Sequence, residues 1–265
     1  MTAFIGYIAA IVIGFTLGLI GGGGSILTVP ALVYLVDVDP VLSTAYSLFI
    51  VGAASLVGSF NYMQRGLVSY KTALVFAIPS FIAVYLTRRW IVPAIPDPIA
   101  HWEAFTLTKD MAVMVFFAII MALASFSMSR GSKKQENQDS TIHYNYPMIL
   151  LEGAVVGVLT GLVGAGGGFL IIPALVVLAK LPMKLAIGTS LLIIAAKSLI
   201  GFIGDIGVQP IDWSFLLIFT AIAVAGIFVG TYASRFVPAQ KLKTGFGWFV
   251  LVMASYILVN ELVLA

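Results

Sequence analysis

Apolar residues fill long stretches of this chain, and polar residues are confined to short gaps between them. About 20 helical residues cross the ~30 Å hydrocarbon layer of a bilayer. On that length the pattern predicts eight apolar segments: 3–36, 42–62, 70–87, 110–128, 147–179, 184–204, 212–234 and 242–262. The first and fifth exceed one crossing, and glycines interrupt them at 21–25 and at 164–168. The polar stretch from Arg130 to Asn145 holds Lys133, Lys134, Glu136 and Asp139 and reads as a linker. Residues 88–109 hold Arg88, Arg89, Pro93, Pro96 and Pro98 and read as a connection, because prolines forbid a regular helix there.

The two glycine clusters belong to an internal repeat. Displaced by 143 positions, Gly18-Leu19-x-Gly21-x-Gly23-Gly24 falls on Gly161-Leu162-x-Gly164-x-Gly166-Gly167. Pro30-Ala31-Leu32-Val33 falls on Pro173-Ala174-Leu175-Val176, Ser47-Leu48 on Ser190-Leu191, and Gly58 on Gly201. A match of this length means two copies of one structural unit. The expected organisation is a first repeat at 1–129, a linker at 130–146 and a second repeat at 147–265. Each repeat opens on a glycine-broken, re-entrant helix pair.

Composition places the chain in a membrane. It is 61% hydrophobic and 9% charged, with a mean hydropathy of +1.10, where soluble domains are about a quarter charged. Cysteine is absent, which excludes disulfides and thiolate chemistry. His101 and His143 stand in polar connections without the spacing of metal ligands. The net charge of +3 does not point to nucleic acid in a membrane protein; what matters is where the basic residues lie. No basic residue precedes the apolar run at 2–20 as in a leader peptide, so it reads as the first membrane segment.

Charge also decides the topology. If segments 1 and 5 each cross the bilayer, five basic residues face eight. If they are hairpins that return to their own side, ten face three, with Arg88, Arg89 and Lys109 outside. The second count is the cytoplasmic bias expected of an inner membrane protein. It puts both termini outside and inverts the second half relative to the first.

Glycine breaks at membrane depth are tolerated where backbone lines a cavity or is buried in protein, and paired breaks mark transporter sites. After each break a short apolar helix is expected, at 25–36 and 168–179, with Ser25 as an N-cap. Two helix N-termini aimed at one point would offer N–H groups and partial positive charge to an anion. The candidate ligands are therefore Gly22, Gly23, Gly24, Ser25, Gly166, Gly167 and Gly168. Gly14-xxx-Gly18, Gly153-xxx-Gly157-xxx-Gly161 and Gly226-xxx-Gly230 instead read as helix-packing motifs.

Lys197 lies deep in the sixth segment, where a charge is costly and therefore read as functional by default. It can serve a substrate anion or coupling, pair with an acid such as Asp205, or snorkel outward. Helical spacing puts Ser190 on its face, and Ser47 is the repeat partner of Ser190. Thr189 and Ser190 can contact a ligand or bond their own backbone. Glu152 reads as a proton-coupling group or an interfacial acid.

These residues carry a family resemblance. The doubled glycine–proline motif, with Ala186-x-Gly188-Thr189-Ser190-Leu191, resembles the sulfite exporter TauE/SafE family over nearly the whole chain. Tyr46 stands where the first copy would have the Thr of Gly-Thr-Ser. The resemblance implies a carrier of sulfur-containing anions such as sulfite or sulfoacetate in the bacterial inner membrane. The expected partners are a small anion, a coupling proton or sodium ion and the lipid bilayer, and an oligomer is left open. No cofactor motif occurs, and no nucleotide-binding Gly-Lys-Ser/Thr follows the glycines. The alternatives are a passive anion channel, a carrier of a non-sulfur organic anion, and a membrane enzyme. The last is disfavoured by the lack of paired carboxylates or metal ligands in the segments.

Overall fold

The computed structural model describes residues 2–102, 105–130, 146–163, 168, 171–172, 175, 181–234 and 236–264. The described residues are all-α apart from a hairpin of two three-residue strands, β1 (Ala100–Trp102) and β2 (Phe105–Leu107). The helices are α1 (Thr2–Ile20), α2 (Thr28–Val36), α3 (Pro40–Gln64), α4 (Tyr70–Leu86), α5 (Lys109–Arg130), α6 (Tyr146–Val163), α7 (Met183–Ile203), α8 (Trp213–Ala233) and α9 (Ala239–Val259). Among the described residues, four spans are long and apolar enough to cross a membrane: Pro40–Gln64, Tyr70–Ala94, Lys184–Ile203 and Trp213–Ala233.

Local chemistry sets the helix ends. Asp37 closes α2 in the left-handed conformation, at φ 62°. Two residues later the Asp39 carboxylate accepts from Leu42 N, with Pro40 in the first turn of α3, where its missing N–H costs nothing. Asp212 caps α8 in the same way through Phe215 N.

α1 and α2 form a hairpin. Gly21, at φ +73°, turns the chain into a 3₁₀ helix over Gly21–Leu27. Gly24 then abuts Thr16 and Leu17, and Gly6 abuts Val36. Both ends of the broken segment therefore lie at one end of the bundle, as the hairpin reading requires. The return helix starts later than expected. It begins at Thr28 with no side-chain cap, and the Ser25 hydroxyl donates back to Gly22 O at 2.7 Å. Ser25 is not an N-cap, because the 3₁₀ turn carries its hydroxyl inward onto the preceding carbonyl.

Glycine-lined crossings hold the long helices together. Gly14 and Gly18 of α1 meet Ala223, Ile227 and Gly230 of α8, and the two helices run parallel. Gly153, Gly157 and Gly161 of α6 meet Phe76, Ser80 and Thr87 along α4, again parallel. Close backbone approach at small residues is the usual source of helix adhesion in lipid, where the hydrophobic effect does not drive it. α3 and α7 cross antiparallel: Gly201 packs on Leu48, and Gly58 packs on Leu191. At a displacement of 143, Leu48 becomes Leu191 and Gly58 becomes Gly201, so these two contacts exchange into each other.

The connection expected from residue 88 starts later. α4 continues through one wide turn, Thr87–Ile91, into Val92–Ala94. Pro93 sits in the first turn of this last piece, where proline is tolerated. The extension carries Arg88 into the protein, where it is 1% exposed. Arg88 therefore leaves the outside charge count, and only Arg89 and Lys109 remain there against ten.

Candidate anion site

The first glycine break meets Gly168. A methyl group on Gly22 would lie 2.5 Å from Gly168 Cα, so the two backbones touch with no room for a side chain. Gly166 and Gly167 lie outside the described residues. Gly23 belongs to the 3₁₀ turn, and Gly24 is wedged against α1. The turn also packs on α7. Gly21 meets Ile187 and Gly22 meets Ile194, one helical turn before Lys197.

Lys197 is fully buried, and its ammonium donates to Thr160 Oγ1 at 2.8 Å. No described carboxylate pairs with it. Asp205, the acid nearest in sequence, is taken by Arg88, whose Nε donates to Oδ2 at 2.8 Å. Arg88 Nη1 donates further to Thr44 Oγ1 at 2.8 Å and to Gly161 O at 3.2 Å. Both cations thus reach adjacent residues in the last turn of α6, immediately before the second glycine cluster. The carbonyl end of a helix carries partial negative charge and favours cations there, but only to about half an elementary charge.

The equivalent place in the other half is neutral. Gly18 corresponds to Gly161, and its carbonyl faces Tyr62, whose hydroxyl also bonds Ser234 Oγ at 3.2 Å. Tyr62 occupies the position equivalent to Asp205, and Ala54 that of Lys197.

The remaining candidates divide. Ser47 is buried with no partner for its hydroxyl. It stands three residues after Thr44, which accepts from Arg88. Ser190 donates to Ile187 O at 2.8 Å, the backbone-bonded alternative. Thr189 Oγ1 accepts from Ser69 N at 2.9 Å and so caps the entry to α4. Glu152 is half-buried, with one oxygen unpartnered. Sequence reasoning missed Arg88, Thr160 and the Asp205 pairing. A signal was present: segment 212–234 displaced by 143 gives 69–91, which extends the third segment past Arg88.

A helical bundle with several apolar spans, a glycine-broken helical hairpin and buried charged side chains is the architecture of a multi-pass membrane transporter. The chain belongs to the sulfite exporter TauE/SafE family, whose sequence profile matches residues 6–257. It is similar to a probable membrane transporter protein of Xylella fastidiosa (strain 9a5c), 29% identical over 253 residues, covering 93% of this chain and 91% of that protein. The probable membrane transporter protein YunE of Bacillus subtilis is 27% identical over 242 residues, covering 80% and 82%. MJ0441 of Methanocaldococcus jannaschii, also named a probable membrane transporter protein, is 32% identical over 116 residues, 42% of this chain and 43% of that one. No solved structure matches the chain.

Proposed function

We propose that the protein is a secondary transporter of small sulfur-containing anions, sulfite and organosulfonates such as sulfoacetate, across the bacterial inner membrane. The observation that carries the reading is Lys197: a basic side chain, fully buried one turn from the residue that meets Gly22, with a hydroxyl and no described carboxylate as its partner. Burying an unpaired charge is expensive, and an anion beside it offsets that cost. The anion lies at Lys197, beside the point where Gly22 and Gly168 touch, held by Lys197 and by backbone N–H groups of the glycine turns. Transport follows from the two halves acting as inverted copies that rock around this site. The exchange of the Leu48–Gly201 and Gly58–Leu191 contacts supports the inversion, and the family name supports the sulfur chemistry.

The test is uptake of labelled sulfite, sulfoacetate and taurine by proteoliposomes under imposed proton and sodium gradients. Saturable uptake of a sulfur-containing anion is expected, and the gradient that drives accumulation names the coupling ion. Transport of none of them, by protein shown to be folded, would reject the substrate class.

A further inference from the structure

Among the described residues, the fully buried charged side chains are Arg88, Lys197 and Asp205. Arg88 pairs with Asp205, and Arg88 and Lys197 reach the same turn of α6. Arg88 binds Asp205 and Gly161 O, and Lys197 binds Thr160, the residue before Gly161. With Lys197 protonated as an anion binds, two cations against one carboxylate leave a single positive charge in excess. Arg88 Nη2 is buried and has no hydrogen-bond partner, although a guanidinium holds its donors in a fixed fork that matches oxyanions. Two hydroxyls beside the cluster are also buried without partners: Ser47, one turn from Thr44, and Ser198, next to Lys197.

We propose that this cluster selects a singly charged oxyanion, held jointly by Arg88 Nη2 and Lys197 Nζ, with Asp205 setting the charge that the site accepts. The proposal rests on the anion-transport reading above and narrows its substrate class. One negative charge makes the buried cluster neutral. A second charge leaves the interior net negative. The cost of stripping water from an ion rises with the square of its charge, whereas attraction to one excess positive charge only doubles. Attraction of the second charge to one positive charge about 6 Å away, at an effective dielectric near 20, returns about a hundredfold in affinity, less than the desolvation of a second charge costs. Hydrogen sulfite and simple alkyl sulfonates therefore rank ahead of the sulfite dianion and of sulfoacetate.

The experiment compares two probes that share a sulfonate and a two-carbon frame. Isethionate carries one charge, and sulfoacetate carries two. Calorimetric titration of the full chain in lipid nanodiscs at neutral pH is expected to give isethionate tenfold to a hundredfold tighter binding. Asp205→Asn raises the excess charge to two and is expected to reverse the order. Should that variant fail to fold, Arg88→Met combined with Asp205→Asn keeps the excess charge at one and removes a donor. It is expected to weaken isethionate about tenfold, the loss of a charge-assisted bond, while isethionate stays ahead of sulfoacetate. Equal binding of the two probes by the wild type, or tighter sulfoacetate, overturns the charge selection and leaves the transporter reading standing. Binding of neither probe overturns the selection, and the transporter reading with it only if sulfite also fails to bind.

Discussion

Replacing Lys197 by methionine separates a ligand from a structural cation. Methionine keeps an unbranched chain of similar length, so the buried space at α7 stays filled, and only the charge and the bond to Thr160 are lost. Asp205 keeps Arg88 as its partner, so no buried acid is stranded. Thr160 loses a neighbour, at a cost of about 1 kcal/mol. Removing an unpaired buried charge acts in the opposite direction. The melting temperature is therefore expected to stay near that of the wild type. Affinity behaves differently, because a hydrogen bond to a charged group contributes ~1.5–3 kcal/mol. That is a tenfold to hundredfold rise in the dissociation constant for sulfite. Lys197→Arg is expected to restore little of it, since the planar guanidinium does not fit a slot shaped for an ammonium. Calorimetry and a thermal melt on one preparation supply both numbers. Unchanged affinity with a lowered melting temperature would refute the argument and make Lys197 a structural residue.

Other outcomes follow from the same geometry. Gly22→Ala places a methyl group on the Gly168 backbone; it is expected to lower the melting temperature by several degrees and to slow uptake, whereas a neutral result would mean that the two breaks do not touch. Thr189→Val removes the acceptor for Ser69 N, at an expected ~1 kcal/mol of stability with the sulfite dissociation constant unchanged, which melting and titration together check. Single cysteines at Ser132 and Pro96, in a chain with no others, are expected to react with impermeant reagent in intact cells at Pro96 alone; labelling at Ser132 instead would invert the topology.

The helix ends were legible in the sequence because apolar runs measure a membrane crossing directly. α3, α7 and α8 lie within about two residues of the apolar runs that predict them. The hairpin of α1 and α2 was legible for a different reason: contiguous glycines break a helix whatever surrounds them. Arg88 was hidden because a basic pair beside prolines looks like the end of a span. Only the repeat displacement, carried as far as α8, would have kept α4 helical through it. The partners of Thr189 and Lys197 were hidden because a side chain's bond across 37 or 120 positions depends on which helices touch. Apolar periodicity finds a buried face and is blind to the helix opposite. Ser25 shows a finer limit. The same residue caps an α-helix or bonds back onto a 3₁₀ turn, and the difference is a change of one residue in hydrogen-bond spacing.

The crossing of α3 and α7 has one more implication. In a dimer of identical chains, a substitution at such a crossing would be felt at both of its ends at once. Here Leu48 and Leu191 are separate residues of one chain, so each end can be altered alone. A larger residue at Gly201 would press on Val84 of α4 as well as Leu48, near the Arg88–Asp205 pair, and one at Gly58 on Ile227 of α8 as well as Leu191, near Tyr62. The molecule thus offers an engineer two separately adjustable screws on what looks like a single symmetric joint.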